Sequence, residues 1–437
     1  MFFFGRGEDG QLGSGFRLDK SLPFELAGFA HGQRIRMIAL GSGHSLILTS
    51  DGIVYATGRG DDGRLGLGAP MEWVATPQQV RLLEADRSDS PRALFIAAGS
   101  YHSAIIDESG GLWMCGGALF GKLGLGEGVS APLPTRVLGF GRGRVLAVAC
   151  GSKHTIALVL GVSAALTVYS WGSAEKGVLG LPATSLPPKI TGVNSTHDGQ
   201  HRVISVPTRI PHFNTGPPVE QLAACGAHNL ALAGGYVWAW GEGRFGRCGL
   251  GNEDDVHEPK LVAPHSLGPN QVGTFGSGSR VIHVAAGGFH STAVDSSGVA
   301  WSWGGGEHGQ LGVAVTPGNA LIPVRVASLA SHFIISSACG WSHSLFLAED
   351  GSVHVCGNTD HGKAGLTLAE LDMVTARNAR ISAAAAAESS PPLPSAFLRS
   401  VVLPMRIRTL AGQRATFICA YNEHSAVVRV CVCVNPL

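Results

Sequence analysis

The fold of this chain is decided by a stretch that recurs along its length, and residues 39–58, ALGSGHSLILTSDGIVYATG, show it in full. Runs of apolar and β-branched residues lie on both sides of Asp51-Gly52. Such runs are typical of β-strands, and Asp-Gly between two of them predicts a tight hairpin turn. The stretch therefore predicts short antiparallel strands, with a Gly-x-x-His segment, Gly41 to His44, at the start of the strand that leads into the hairpin.

The Gly-x-x-His segment recurs through the chain. Intact copies, each followed by Ser or Thr, begin at Gly41, Gly99, Gly151, Gly287 and Gly340. We identify two degenerate copies: Gly226-Ala227-His228 is one residue short, and Gly412-Gln413-Arg414-Ala415 has Ala where His is expected. The recurring histidines are then His44, His102, His154, His228, His290 and His343. Because they stand more than 50 residues apart, we expect them to satisfy backbone groups between strands rather than to converge on a metal.

A glycine pattern follows each hairpin: Gly, four variable residues, Gly, one residue, an apolar residue and Gly, as in residues 58–66, GRGDDGRLG. It begins at Gly5, Gly58, Gly116, Gly172, Gly241, Gly304 and Gly357. A recurrence of this length indicates a repeat architecture. The chain opens with the glycine pattern and closes with the Gly-x-x-His type, so its two ends must complete one unit. We therefore predict an all-β fold: a seven-bladed β-propeller, closed by shared N- and C-terminal strands, as a single domain over residues 1–437.

The combined motif resembles the RCC1 (regulator of chromosome condensation) family, and fragments such as VYSWG at 168–172 and WSWG at 301–304 carry the resemblance. It covers essentially the whole chain and implies a circularly closed propeller of RCC1-like repeats. It also implies nucleotide exchange on a Ran-type small GTPase. The family uses a hairpin wedge after the third glycine pattern and an acidic residue directly before one repeat His. Residues 116–126 show no wedge, and none of the repeat histidines identified above is preceded by an acidic residue; Lys153 stands at the equivalent position.

The composition excludes several function classes. A net charge of +1 without a dense Lys/Arg block argues against nucleic acid or chromatin as a partner. No apolar run has the length of a membrane span, and residues 1–4 lead directly into the first glycine pattern, which leaves no room for a signal peptide. We therefore expect a monomeric cytoplasmic or nuclear protein without membrane insertion.

Gly5-Arg6-Gly7-Glu8-Asp9-Gly10 has the form of a dinucleotide-binding loop, but the same form recurs at Gly58, Gly241 and Gly304. No helical crossover pattern follows any of them, and carboxylates inside the loop would repel a pyrophosphate. A turn of the fold is the better interpretation. We predict no catalytic residue, no metal and no cofactor.

Two segments are longer than a blade requires. Residues 182–218 are rich in Pro, Gly and His, and we interpret them as a long loop insertion that could replace the wedge. Residues 369–399 are rich in Ala, Ser and Pro and include the run ESSPPLP at 388–394. Composition predicts a flexible insertion there.

Binding on propellers takes place where the blade loops gather, and one loop set holds the residues just before each repeat His. Its aromatic and basic members, with Trp341 added, are the candidate partner-binding residues Tyr101, Lys153, Phe289, Trp341 and Arg414. Trp, Tyr and Arg are enriched among residues that dominate binding energy. A second set follows the middle Gly of each glycine pattern, and its basic members are the weaker candidates Arg64, Lys122, Arg247 and Lys363. Nearby carboxylates predict that this second set forms a solvated, self-paired rim.

The function we expect is a non-catalytic protein–protein interaction platform, with a small GTPase as the candidate partner. A guanine-nucleotide exchange factor for a Ran-type GTPase is the first alternative. An adaptor in a ubiquitin-ligase or trafficking complex is the second. An enzyme or a Trp-based photosensor is the most distant.

Overall fold

The computed structural model describes residues 1–26, 28, 33–69, 71–83, 90–187, 190–191, 200–262, 279–313, 318–387 and 400–429. Most of this chain forms short β-strands. In chain order they are β1 (Phe2–Gly5), β2 (Lys20–Glu25), β3 (Ile35–Leu40), β4 (His44–Thr49), β5 (Val54–Gly60), β6 (Met71–Val80), β7 (Ala93–Ala98), β8 (His102–Asp107), β9 (Leu112–Gly116), β10 (Ala131–Arg136), β11 (Arg144–Cys150), β12 (His154–Leu160), β13 (Leu166–Ser173), β14 (Ile190–Thr191), β15 (Gln200–His201), β16 (Val203–Arg209), β17 (Val219–Cys225), β18 (His228–Ala233), β19 (Tyr236–Gly241), β20 (Val256–Leu261), β21 (Val281–Ala286), β22 (His290–Asp295), β23 (Ala300–Gly304), β24 (Ala320–Arg325), β25 (Ile334–Cys339), β26 (His343–Ala348), β27 (Val353–Gly357), β28 (Val401–Arg406), β29 (Ala415–Tyr421) and β30 (His424–Arg429). A helix, α1 (Leu368–Ala387), lies between β27 and β28.

The strands pair into seven four-stranded antiparallel sheets, which are the blades of a propeller. Blade 1 is β3–β6, blade 2 is β7–β10, blade 3 is β11–β13 with β16, blade 4 is β17–β20, blade 5 is β21–β24, blade 6 is β25–β28, and blade 7 is β29, β30, β1 and β2. The first strand of every blade lines one central channel. The predicted seven-bladed propeller is confirmed.

Blade 7 closes the ring with both ends of the chain. Strand β1 pairs with β30, with Phe2 opposite Val427, and on its other edge with β2, with Phe2 opposite Glu25. Phe3 and Phe4 are fully buried, and the two rings belong to different apolar clusters of the core. The predicted closure by shared terminal strands is confirmed, and β1 is an interior strand of its sheet.

The glycine pattern forms a tight turn that packs against the next blade. Gly63 adopts φ +83°, and a Cβ there would lie 2.7 Å from the Cα of Pro132 in blade 2. A side chain is excluded both by this close approach and by the left-handed backbone.

The repeat histidines link neighbouring blades in a closed ring. Each Nε2 lies 2.6 to 3.3 Å from a hydroxyl or amide oxygen of the next blade; the pairs are His44–Ser103, His102–Thr155, His154–Asn229, His228–Ser291, His290–Ser344, His343–Ser425 and His424–Ser45. The partner in turn donates to a backbone carbonyl of a glycine turn, as Ser103 does to Arg64 at 2.7 Å. Burial lowers the pKa of every one of these rings, so they are neutral and donate through Nε2–H.

This ring corrects the repeat assignment of the sequence at two points. The seventh histidine is His424, in the segment Tyr421-Asn422-Glu423-His424, and not an Ala at position 415. Tyr421 pairs with His424 as Cys225 pairs with His228. Tyr421 in blade 7 and Cys225 in blade 4 therefore occupy the position of the first Gly of the segment. The copy in blade 4 has the full length.

The two insertions also differ from their prediction. Within 182–218, β16 is the outer strand of blade 3, so the extra segment is residues 182–202, and β14 and β15 in it pair as a short antiparallel ladder. Within 369–399, helix α1 replaces the expected irregular chain as far as Ala387, and residues 388–399 lie outside the described part. The Thr367 hydroxyl accepts from the Glu370 N–H, while the Glu370 carboxylate accepts from the Thr367 N–H at 2.8 Å. This capping box fixes the start of the helix.

Candidate functional site

The Gly-x-x-His turns and the glycine turns gather at one end of the propeller, which we call the loop face. In blade 1 the two turns touch directly, since the Arg59 N–H donates to the Gly43 carbonyl at 2.7 Å. The other end carries turns such as Asp51-Gly52, and we call it the hairpin face.

Four of the five stronger candidates lie on the loop face. Tyr101 is 51% exposed and Lys153 is exposed, whereas Phe289 and Trp341 are partly buried. Arg414 does not join them, so its assignment to this set is wrong. It directly precedes β29, the inner strand of blade 7, and donates to the Glu349 carbonyl at 3.4 Å, on the hairpin face.

The weaker candidates Arg64, Lys122, Arg247 and Lys363 lie beneath this surface, each at most 3% exposed. The expectation of a solvated rim is therefore wrong. Tyr101 covers two of these cations, with its ring centre 4.8 Å from the Arg64 guanidinium and 5.9 Å from the Lys122 ammonium. Such stacking favours a cation against the electron-rich ring face.

Two of the buried cations connect neighbouring loops through their polar partners. Arg64 donates to the Asp62 carboxylate at 2.6 Å and to the Ser100 carbonyl of blade 2 at 2.9 Å. Arg247 donates to the Glu242 carboxylate at 2.8 Å and to the Gly288 carbonyl of blade 5 at 3.0 Å. Lys122 donates to the Leu119 carbonyl of its own turn at 2.9 Å, and burial lowers the pKa of Lys122 to about 8.

An aromatic row crosses blades 4 to 6 on the loop face. Phe245 meets Phe289 edge to face with ring centres 5.8 Å apart, and Phe289 meets Trp341 at the same separation. The Arg247 guanidinium lies 5.6 Å from the Phe245 ring centre and 5.4 Å from that of Phe289. Trp341 packs directly on Gly288, where a Cβ would come within 2.7 Å of its ring. The three rings therefore form a supported surface.

Two aromatic side chains are held on this face by an unfavourable backbone. Phe120 and Phe245 both adopt φ +65°, a left-handed conformation that bulky residues seldom take and that costs of order 1 kcal/mol or more. Both precede the middle Gly of a glycine turn. The Phe120 ring lies 4.5 Å from the Lys153 ammonium.

A pocket of about 330 Å³ opens beside the aromatic row. Gly226 and Ala227 form its floor: Ala227 stands where blades 3 and 5 carry Lys153 and Phe289 directly before the His, and Gly226 stands where they carry Ser152 and Gly288. Its lining residues are Ser152, Lys153, His154, Ser173, Glu175, Lys176, Val178, Gly226, Ala227, Glu242, Arg247, Gly288, Phe289 and Trp341. One wall is thus basic and the other aromatic.

The insertion of blade 3 returns to the propeller next to this pocket. Ala174 donates its N–H to the Arg202 carbonyl at 2.8 Å, and Val203 pairs with Ser173, which lines the pocket. The C-terminal end of the 182–202 segment therefore lies at the rim of the pocket.

Glu423 corrects the expectation that no acidic residue precedes a repeat His. It stands directly before His424 on the loop face, and its carboxylate pairs with Lys363, which is 1% exposed. An acidic residue therefore precedes the repeat His of blade 7, where it is paired with a buried lysine.

The sequence missed Glu423, Phe120 and Phe245. The Ala-Tyr-Asn-Glu-His-Ser run at 420–425 could have revealed Glu423, because it keeps the spacing of Leu-Gly-Ser-Gly-His-Ser at 40–45. The signal for Phe120 and Phe245 was that each directly precedes the middle Gly of a glycine pattern, Gly121 or Gly246.

Fold and site together define a closed propeller of Gly-x-x-His units with an aromatic and basic loop face. The RCC1-like domain family matches residues 1–279, and the regulator of chromosome condensation (RCC1) repeat matches residues 297–347, 281–310 and 334–363. The chain belongs to this family. No helix in the described ranges is long and apolar enough to cross a membrane.

Among known proteins, the chain is 34% identical to human E3 ubiquitin-protein ligase HERC2 over 71% of its own length and 6% of that protein. It is 26% identical to the mouse secretion-regulating guanine nucleotide exchange factor over 84% of its length and 75% of that protein. The solved structure of Prp20p from Saccharomyces cerevisiae superposes with a TM-score of 0.70 at 20% identity, covering 99% of this chain and 92% of Prp20p. The chain thus spans a small part of HERC2 and most of the other two.

Proposed function

We propose that this protein is a non-catalytic interaction propeller whose loop face binds a small GTPase. The observation that carries the proposal is the aromatic row from Phe245 to Trp341, which packs on the buried Arg247 and is bordered by a pocket. Rigid aromatic side chains with partly exposed surface are the groups that dominate protein–protein binding energy. The GTPase as partner is supported by the mouse relative, whose name describes a nucleotide exchange factor.

We propose more specifically that the protein accelerates nucleotide exchange on that GTPase. An exchange factor stabilises the nucleotide-free state of its partner and performs no covalent chemistry. Two features favour it: Glu423 before a repeat His, and the insertion 182–202, whose C-terminal end lies at the rim of the pocket. The insertion follows the fourth glycine pattern, whereas the family's wedge follows the third, and Glu423 precedes the His of blade 7, whereas Lys153 holds the position of the family's acidic residue.

Removing two of the three rings of the row is expected to abolish most of the affinity. Phe289→Ala with Trp341→Ala should weaken binding to the cognate GTPase about a hundredfold or more, because buried aromatic anchors each contribute about 2 kcal/mol or more. The measurement is biolayer interferometry against a panel of purified small GTPases, Ran-type included. Arg414→Ala, on the hairpin face, is the matched control and should leave affinity unchanged. If no member of the panel binds the wild-type protein, the GTPase proposal fails, and an adaptor in a ubiquitin-ligase or trafficking complex becomes the working function.

Exchange is tested by the release of mant-GDP from the GTPase that binds. We expect the wild-type protein to accelerate release, and replacement of residues 183–200 by a short Gly-Ser linker to remove most of that acceleration while binding persists. Glu423→Gln should slow release by about tenfold if its carboxylate acts on the partner, since a lost charge-assisted hydrogen bond is worth about 1.5 kcal/mol or more. Unchanged release in both variants would show that neither feature takes part.

The proposal also includes a monomeric propeller acting in the cytoplasm or nucleus. Light scattering coupled to size-exclusion chromatography should return the mass of one chain, 45.2 kDa.

A further inference from the structure

We infer that the pocket between Lys153 and the Phe289–Trp341 wall is a specificity pocket for a protein segment that presents an apolar anchor side chain beside a carboxylate. The inference deepens the proposed function and rests on it, since the segment would belong to the bound partner. The double variant Phe289→Ala with Trp341→Ala tests the aromatic row as a whole, and it does not test the pocket separately.

The aromatic wall provides the apolar half of the site. Phe289 and Trp341 meet at an angle of 67°, so they present a corner and not a flat surface. The floor, Gly226 and Ala227, adds no bulk. A pocket of about 330 Å³ is large enough for one aromatic side chain, and covering such a chain from water contributes about 1.5–3 kcal/mol.

Lys153 provides the charged half. Of the cations that line the pocket, Lys176 pairs with Asp255 at 3.2 Å and Arg247 pairs with Glu242 at 2.8 Å. Lys153 has no ion pair with any described residue; its ammonium rests 4.5 Å from the Phe120 ring centre. An exposed ammonium held in place but unpaired attracts a carboxylate from a partner. Glu175 also lines the pocket, so a second acidic group on that side would be disfavoured.

The pocket is organised before anything binds. The left-handed Phe245 supports Phe289, and Gly288 lets the Trp341 ring pack on the backbone. Side chains already held in place lose little conformational entropy on binding. The affinity for the segment should therefore depend also on the residues that position the aromatic wall, Phe245 beneath Phe289 and Gly288 beneath Trp341.

The test uses short capped peptides as probes, identical except for a central Phe-Glu, Phe-Gln, Phe-Lys or Ala-Glu pair, measured by ligand-observed saturation-transfer NMR. We expect saturable binding of the Phe-Glu peptide, about threefold weaker binding of Phe-Gln, at least tenfold weaker binding of Phe-Lys, and no saturation with Ala-Glu. Lys153→Gln should make Phe-Glu and Phe-Gln bind equally while Ala-Glu remains inactive.

Two variants test the pocket itself. Ala227→Tyr fills it at a position where blade 2 carries Tyr101, so the fold should persist while Phe-Glu binding is lost. Gly288→Ala should displace Trp341 and weaken Phe-Glu binding at least fivefold. Arg414→Ala, on the hairpin face, is the control and should bind Phe-Glu as the wild type does. Equal binding of Phe-Glu and Phe-Lys, or full binding by Ala227→Tyr, would overturn the inference. If GTPase binding persists while no peptide binds, the inference fails and the proposed function stands.

Discussion

Lowering the pH from about 7.5 to about 5 is expected to destabilise the folded protein steeply, because its seven repeat histidines are buried and neutral. Their pKa in the folded state lies below the unfolded value of about 6.5; burial lowers it to about 4 for His154 and to about 3 for His290 and His424. The unfolded chain therefore binds protons that the folded chain cannot. The stability is fully present above about pH 6.5 and is lost as the pH falls towards the folded values.

Neighbouring cations enlarge this effect, since a positive neighbour disfavours imidazolium. The cation–histidine pairs are Arg64 with His44, Lys122 with His102, Arg247 with His228, Lys363 with His343 and Arg6 with His424. Each histidine lowers the unfolding free energy by about 1.4 kcal/mol for every pH unit below the pKa that it has in the unfolded chain. Seven together reach about 10 kcal/mol within about one unit, which is comparable with the whole unfolding free energy of a typical domain.

Urea unfolding followed by circular dichroism at a series of pH values measures this directly, because the slope of the unfolding free energy against pH counts protons. We expect a slope of about six to seven protons between about pH 6 and 5. His154→Gln, whose amide can still donate to Asn229, should reduce the slope by about one. A slope of about two protons or fewer would contradict the ring of neutral histidines.

Phe4→Ala is expected to lower the unfolding free energy by about 3–5 kcal/mol, because it leaves a cavity where the first strand joins the last blade. Phe4 is fully buried, and its ring lies against Gly365 of blade 6, where a Cβ would come within 3.1 Å of it.

Removing residues 1–5 should prevent folding, since β1 is hydrogen-bonded on both edges and its loss leaves β2 without a sheet.

Phe16→Ala is the matched control, because Phe16 is 64% exposed and the same truncation there should change stability by no more than about 0.5 kcal/mol. Urea midpoints of the two variants make the comparison. Equal midpoints, or a truncated chain that unfolds as cooperatively as the full chain, would contradict closure by the terminal strands.

The blades and their closure could be predicted because glycine recurs where the backbone must be left-handed or must approach a neighbouring blade closely. At Gly63 the backbone requires both a left-handed φ and room for the next blade, and that need recurs in every unit. The His of blade 7 was missed because Tyr421 occupies the position of the first Gly, which moved the assignment to Gly412 and made Arg414 a false candidate. Register within β29 and β30, and not the motif, identifies His424.

The site was only partly predictable. Sequence spacing placed Tyr101, Lys153, Phe289 and Trp341 on one face, but it could not show that Arg64 and Arg247 lie under aromatic rings, because their burial depends on the neighbouring blade. Helix α1 could have been predicted in part: Thr367 and Glu370 have the spacing of a capping box, and Ala is the strongest helix former. The Ala, Ser and Pro content of residues 369–399 indicates a flexible chain and obscures this helix signal.

The central claim is that the loop face is the binding face, and amide hydrogen exchange on the complex with the GTPase tests it most directly. The account predicts slower exchange, relative to the free protein, in peptides covering 151–155, 241–247, 286–290 and 339–344, with no change at the hairpin-face turns around 51–52, 297–298 and 350–351. Protection confined to the hairpin-face turns would contradict it.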